Sequence, residues 1–403
     1  MNIVLFDTSK MNSLYPLTLT RAIAGVRIGI FTIKERWEHL SGKPAYVVTD
    51  PSIQPLYEDV PPGDSLLIDA TVLPASGIVK TILTLKTGQA IKDEEGFVAG
   101  RFSINNKPDY TTKWEELFSG TKTISTQRRL KTHYEIFQWN DEYIRFDFSL
   151  ISKERFSTTP HESVYLRNVA QIFIEEGTQM DHCILNASTG PIYIGKNTTI
   201  MEGCQIRGPF TLCEGATLKM GTKVYGATTI GPSCVVGGEV KNSVFFGNSN
   251  KAHEGYIGDS VIGEWCNLGA GTSNSNMKNT AGEAKVWSYS HNDYISAGTK
   301  CGVIMGDHVK TAINTSINTG AVIGVCCNVF TEGLTPQLIP DFSWGIKNET
   351  RYELDKALKD IGSWKKMKNK TITEPETKLL THIFENRGLN PGLKGRREIE
   401  RNI

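Results

Sequence analysis

Ile194, Ile200, Ile206, Leu212, Leu218, Val224, Ile230 and Val236 stand six residues apart and form an unbroken aliphatic ladder. An α-helix repeats its buried face about every 3.6 residues and a strand at every second residue, so neither explains this spacing. A period of six predicts a parallel β-helix: short strand, corner, short strand, with each aliphatic side chain pointing into a narrow prism. The ladder continues in two displaced registers. Val244, Tyr256, Ile262 and Leu268 lie two residues out of step with the first, and Met305, Ile317, Ile323 and Val329 form a third. Residues 273–300 carry no such pattern, which predicts a loop leaving one edge of the solenoid.

The flanking segments read differently. Short apolar runs at residues 3–6, 46–48 and 66–68 predict buried strands, and residues 33–40 a helix, with Pro61-Pro62-Gly63-Asp64 as a break. Alternating strands and helices predict a parallel sheet with sites at the strand C-termini. Towards the C-terminus, Tyr352, Leu354, Leu358, Ile361 and Trp364 form an amphipathic helical stripe. Thr373-Glu374-Pro375-Glu376 is a capping box opening a second helix, with Leu379, Leu380, Ile383 and Phe384 on one face and Gly388 as its C-cap. Two such helices cannot bury their faces alone and need another domain or subunit. The expected organisation is an α/β domain over residues 1–160, a β-helix over 161–340 and a helical extension over 341–403.

Composition narrows the partners. Lys+Arg 44 against Asp+Glu 43 in 403 residues is balanced, so neither nucleic acid nor an acidic membrane surface is expected. The basic residues Lys394, Arg396, Arg397 and Arg401 read as a solvated terminus. Asp7 interrupts the first apolar run, and no stretch approaches the ~20 apolar residues of a membrane span, so a cytoplasmic protein is expected. Cys204, Cys234, Cys266 and Cys327 each follow a ladder aliphatic by four places. That is a position for a small packing residue, not for a disulfide framework or a metal site, and the same holds for the adjacent Cys326 and Cys327.

Candidate chemistry gathers where the ladder slips. Three hexads make one coil, so Lys223 and Lys241 are expected to stack one coil apart as an anion site suited to a sugar phosphate. His253 follows twelve residues later. An imidazole can take up a proton near neutral pH, which the attack of an amine on a thioester requires. His161, His182, His291 and His308 are expected to be structural.

Several segments carry a family resemblance: Lys251-Ala252-His253, Tyr256-Ile257-Gly258-Asp259, Ile262-Gly263, Asn267-Leu268-Gly269-Ala270-Gly271-Thr272 and Asn276. They resemble the acetyltransferase half of the bifunctional N-acetylglucosamine-1-phosphate uridyltransferase/glucosamine-1-phosphate acetyltransferases. The resemblance is specific over about residues 220–275 and implies a left-handed β-helix behind a nucleotidyltransferase-like domain. It implies His253 as general base, with Lys241 and, in place of an arginine, Lys223 on the sugar phosphate. Tyr256 and Asn267 become sugar-site residues, and Asn276 stands beside the amine. The family uses acetyl-CoA and builds its site within a homotrimer, for which Gly306 and Asn314 are the coenzyme candidates. In the N-terminal half no glycine precedes Gly25, so the usual glycine-rich phosphate loop is missing. A Leu-Thr-Leu-Thr-Arg element ending at Arg21 resembles a divergent nucleotidyltransferase group instead. Arg21 is expected to hold phosphate, and Asp69 to hold Mg²⁺.

The leading expectation is acetyl transfer to glucosamine-1-phosphate, followed by uridylyl transfer from UTP to N-acetylglucosamine-1-phosphate. Two readings compete with it. One is a sugar-1-phosphate nucleotidyltransferase that uses the β-helix only to trimerise. The other is a non-catalytic sugar-nucleotide-binding protein.

Overall fold

The computed structural model describes residues 1–74, 76–104, 113–118, 120–346 and 350–387. Gly388 and the basic residues Lys394, Arg396, Arg397 and Arg401 lie outside them. The chain divides into two compact units.

The first unit comprises Met1–Leu14, Thr18–Val26 and Phe31–Thr132. The expected strands are present as β1 (Asn2–Phe6), β2 (Ala45–Val48) and β3 (Gly63–Asp69), joined by β4 (Gln89–Asp93), β5 (Gly96–Ile104) and β6 (Gly120–Thr123) in the order β2-β1-β3-β5-β4-β6. β1 pairs in parallel with β2 and β3, but β5 runs antiparallel to both β3 and β4, so the sheet is mixed and not parallel. The reversal follows from the tight Glu94–Glu95 turn, which joins β4 to β5 without a crossover helix. α1 (Ile33–Ser41) opens with a capping box between Thr32 and Glu35 and ends at Gly42 in the left-handed region. α2 (Ser76–Leu83) follows β3.

The second unit comprises Tyr15–Leu17, Arg27–Ile30 and residues from His133 onward. It starts with α3 (Glu135–Gln138) and α4 (Asn140–Ile151). Asn140 ties α4 to the coils by donating to the Ala227 carbonyl and to Thr229 Oγ1 at 2.9 and 3.1 Å. The coils form three parallel faces. The first runs from Tyr165–Arg167 to Tyr256–Gly258, the second from Ile172–Ile174 to Leu338–Ile339, and the third from Gln179–Met180 to Asn328–Val329. All eight ladder aliphatics point inward and are at most 2% exposed. Each contributes about 1.5–3 kcal/mol of burial, which is what holds so narrow a prism together. All eight cysteines are free and buried.

The regular coil has eighteen residues, as where Leu218 pairs with Val236. Below Val236 the coils shorten: Val236 pairs with Lys251 fifteen residues on, and Asn250 pairs with Asn267 seventeen on. The inward positions of the second register shift accordingly. Phe245, paired with Ile230, points into the prism in place of Val244, and Ile257 in place of Tyr256. The interruption at 273–300 is an outgrowth with its own structure. Ser273–Asn274 still pairs with Ser316–Ile317, and an antiparallel ribbon, Lys285–Ser288 with Asp293–Ser296, fills the remainder.

α5 (Leu354–Lys366) and α6 (Glu374–Asn386) pack on the coils of this same unit. Thr373 and Glu376 form the expected capping box. Lys365 reaches from α5 to Glu376 of α6, and its ammonium lies 5.3 Å from the centre of the Trp265 ring. Lys368 donates to the Ser233 carbonyl and Arg387 to Asp341, the latter at 2.7 Å. Among the described residues no helix is long and apolar enough to cross a membrane.

Candidate functional site

The slip after Val236 rearranges the first face. Lys223 pairs with Glu239 and not with Lys241, because the intervening coil is two residues short, and Lys241 pairs with Tyr225. The two lysines therefore do not stack. They stand at opposite ends of adjacent strands, Lys241 Nζ lying 5.8 Å from the Tyr225 ring centre. Strand alternation turns Val224, Val240 and Ile257 inward, leaving Lys223, Tyr225, Glu239, Lys241 and Tyr256 on the outer side.

A polar network covers this face. Tyr225 donates to Glu239 at 2.5 Å, and this bond, followed by burial, pushes the phenol up to about 12. Asn242 and Asn276 both donate to Asp259, Asn242 at 2.7 Å, and Asn276 reaches the Tyr256 hydroxyl at 3.1 Å. Burial, then the Asp259 charge, raises the Tyr256 phenol above its ordinary range. Tyr256 and Asn276 thus come together on the face that also carries Lys241, with Tyr225, Glu239 and Asp259 as carboxylate and phenol partners that had no assigned role in the sequence.

His253 is exposed on the corner leading from the third face to the first, three residues before Tyr256. It borders a cleft of about 490 Å³ lined also by Val235, Asn250, Asn267, Ala270, Ile313 and Trp364. Asn267 belongs to this cleft and to the third face, not to the Tyr256 network. Lys223 lines a separate hollow of about 650 Å³ with Arg207 and Tyr225. The strand starts Lys223, Glu239 and Tyr256 nevertheless follow the same edge that carries His253. Asn314 is exposed on that edge beside Ile313, whereas Gly306 is buried between rungs, where an added Cβ would meet Val325 at 2.9 Å.

The residue least expected from the sequence is Lys251. It occupies an inward ladder position between Val236 and Leu268, is 1% exposed, and donates to the Gly237 and His253 carbonyls, each at 2.8 Å. Burial pushes its ammonium down to about 8, against the nearby Glu254 charge and with the Lys223 charge adding to it. In the unfolded chain a lysine releases its proton near 10.5. Between these values the unfolded state binds more protons, so stability rises with pH. We expect the unfolding free energy of the wild type, relative to Lys251→Met, to climb by on the order of 2–3 kcal/mol from pH 7.5 to 10.5 in urea titrations. A difference flat across that window would refute the buried charge.

In the first unit a cleft of about 450 Å³ lies over the end of β1, lined by Asp7, Thr8, Ser9, Lys10, Asp69, Lys113 and Trp114 among others. Arg21 is buried and does not line it. Asp69 does line it, but its oxygens are engaged. Oδ1 accepts from the Thr71 amide and hydroxyl, and Oδ2 from Arg129 at 2.7 Å with Lys10 at 3.7 Å. Among the described residues no group of three or more His, Cys, Asp or Glu side chains could hold a metal ion. Asp69 as found does not fit a Mg²⁺ ligand: a guanidinium already occupies the place a cation would take.

Comparison with known proteins gives matches over parts of the chain. Residues 3–156 match the model of the sugar nucleotidyl transferase family. The bifunctional protein GlmU of Methanocaldococcus jannaschii is 40% identical over 89 residues, 22% of this chain and 21% of that protein. Over that segment the chain is similar to GlmU. A bifunctional sugar-1-phosphate nucleotidylyltransferase/acetyltransferase of Sulfurisphaera tokodaii is 41% identical over 93 residues, 23% of each chain. GlmU of Synechococcus elongatus is 27% identical over 169 residues, 40% of this chain and 33% of that one. The chain thus matches between a fifth and a third of the length of these relatives. Among solved structures, the UDP-N-acetylglucosamine acyltransferase of Francisella novicida aligns over 59% of this chain and 88% of that one, at 14% identity and a TM-score of 0.27, too low to bear on fold or function.

Proposed function

We propose that this chain is a bifunctional transferase of amino-sugar nucleotide synthesis. The β-helix transfers acetyl from acetyl-CoA to the amine of glucosamine-1-phosphate, and the first unit joins N-acetylglucosamine-1-phosphate to UTP with release of pyrophosphate. The observation that carries the acetyl transfer is one edge of the coils. On it an exposed histidine borders an apolar cleft, next to a face bearing two lysines, two tyrosines and two carboxylates.

Each group has a role that its surroundings support. His253 accepts the proton that the amine loses as it attacks the thioester carbonyl. Asn250 and Asn267, which line the same cleft, supply amide groups for the donor, and Val235, Leu268 and Ile313 exclude water from it. Lys223 and Lys241 attract the sugar phosphate as point charges at two ends of the face. Glu239 and Asp259, held by Tyr225, Asn242 and Asn276, orient the sugar hydroxyls and the amine. Trimerisation of the coils and acetyl-CoA as donor belong to the same proposal. For the nucleotidyl step, support comes from the family match over residues 3–156 and from the cleft at the end of β1, where Lys10 and Lys113 are the cations available to triphosphate. No step is assigned to a metal.

A coupled assay tests both halves. Acetyl-CoA is supplied with a panel of hexosamine-1-phosphates, and free thiol is followed; UTP is then added and pyrophosphate is followed. Thiol release specific to glucosamine-1-phosphate is expected. Pyrophosphate without thiol release from any hexosamine phosphate would overturn the acetyl-transfer half, and thiol release without pyrophosphate the other.

A further inference from the structure

Corners between the third and first faces satisfy inward carbonyls with a small side chain, a cysteine at Cys204, whose Sγ donates to the Lys219 carbonyl, and a threonine at several others. Thr222 Oγ1 donates to the Lys219 carbonyl, and Thr272 and Thr315 Oγ1 both donate to the Ala312 carbonyl. The two corners between them, at Gly237-Gly238 and at Ala252–Gly255, have no threonine. They are the corners of the shortened coils, and their Gly237 and His253 carbonyls turn into the prism. Buried carbonyls need donors. A single side chain supplies both, the Lys251 ammonium, in a column whose neighbours above and below are Val236 and Leu268.

The surrounding backbone is shaped to this group. Gly238, at φ +72°, would place a Cβ 2.9 Å from Lys251 Nζ. Gly255, at φ +129°, would place one 2.1 Å from the Thr272 carbonyl oxygen. Both positions exclude a side chain, so the corner folds closely over the ammonium. Among the described residues Lys251 makes no ion pair. A charge placed in an aliphatic column without a carboxylate partner is an expensive way to satisfy two carbonyls when a threonine serves elsewhere. A hydroxyl has only one proton to give, whereas the ammonium has three and can give each of the two corner carbonyls a proton of its own.

We propose that Lys251 is the positioning residue of the acyl-transfer site: from inside the prism it clamps the His253 corner to the Gly237 corner and so fixes the histidine relative to the substrate face. This rests on the assignment of His253 under the proposed function. Lys251 touches no substrate and acts only through the backbone of the residue it holds.

The test is Lys251→Met in the full chain, which keeps the length of the side chain and removes its donors. We expect a cooperative melt and an unchanged circular dichroism spectrum. Turnover of acetyl-CoA with glucosamine-1-phosphate should fall roughly 30-fold or more, while KM for the sugar phosphate stays within about threefold, because the histidine and not the binding face is released. In spectra of histidine-labelled protein, the His253 ring signals should shift and broaden while those of His161 and His182 stay in place. A purely structural lysine would lower the melting temperature without splitting kcat from KM. A folded variant with wild-type kcat, or with unmoved His253 signals, overturns the proposal. If the wild type transfers no acetyl group, the function fails but the ring signals still report whether Lys251 holds the corner. Should Lys251→Met not fold, Lys251→Gln keeps amide donors without charge and carries the same measurements. Failure of both to fold would make Lys251 a folding residue and overturn the proposal.

Discussion

Replacing His253 with alanine is expected to lower acetyl transfer by about 10²–10⁴-fold, the usual contribution of a general base, with the fold intact. The fold should survive because the imidazole is exposed and belongs to no core cluster, and because Lys251 holds the backbone carbonyl of residue 253 and not its side chain. KM for acetyl-CoA should change little, since the cleft walls contributed by Val235, Leu268, Ile313 and Trp364 remain. The measurement is kcat by thiol release across pH 6 to 9, beside a thermal melt. Uridylyl transfer by the same variant, given preformed N-acetylglucosamine-1-phosphate, should be unaffected, which separates loss of the base from general damage. Full acetyl transfer by the variant would remove His253 from the chemistry.

Much of the architecture could be read from the chain because the β-helix writes its period into the sequence. Every coil must put an aliphatic residue inward at the same place, so the repeat from Ile194 to Val236 is a physical requirement of the prism. The same logic misleads where a coil changes length. Extending the six-residue step past Val236 places Val244 and Tyr256 inside, whereas Phe245 and Ile257 are there, because coils of fifteen and seventeen residues bring other positions to the inner side. The stack expected of Lys223 and Lys241 failed for this reason. Spacing by eighteen holds only in an unshortened coil, and the true neighbour of Lys223 is Glu239. The burial of Lys251 is not legible locally, because a lysine among polar residues has the pattern of a solvated one. Its distances from Val236 and Leu268, fifteen and seventeen, mark it as a ladder position only once the shortening is known. The network joining Asp259, Asn242, Asn276 and Tyr256 spans corners from successive coils, which no local pattern encodes.

The first unit shows a different limit. Periodicity locates buried strands, and β1, β2 and β3 stand where the apolar runs put them, but strand direction depends on connections, and the short β4–β5 turn made the sheet mixed. The role of Asp69 was equally hidden. A carboxylate ending a strand can meet a metal or an arginine, and the partner here, Arg129, lies sixty residues further along the chain.

That arginine carries the largest expected effect on stability. Its side chain is 1% exposed, and it donates to Asp69 at 2.7 Å, to Asp93 at 3.0 Å and to the Gly96 and Phe97 carbonyls at 3.3 and 3.0 Å. For Asp93, burial works against ionisation, but the Gln127 amide and the Arg129 guanidinium outweigh it and hold the carboxyl below its ordinary value. Arg129→Met leaves two buried carboxylates facing each other across an apolar side chain. Breaking a buried pair from one side costs about 3–5 kcal/mol, because the remaining charge keeps its desolvation penalty and loses its partner. For a unit of this size that corresponds to a melting temperature lower by roughly 10–20 °C. Calorimetry should show the loss in the transition of the first unit, with the β-helix transition in place and acetyl transfer retained. Neutralising the orphaned acids in the Arg129→Met background, by Asp69→Asn with Asp93→Asn, should return part of the loss, since an amide is far cheaper to bury than an unpaired carboxylate. A loss under about 1 kcal/mol would place Arg129 among exposed pairs of little consequence and return Asp69 to the choice between arginine and metal.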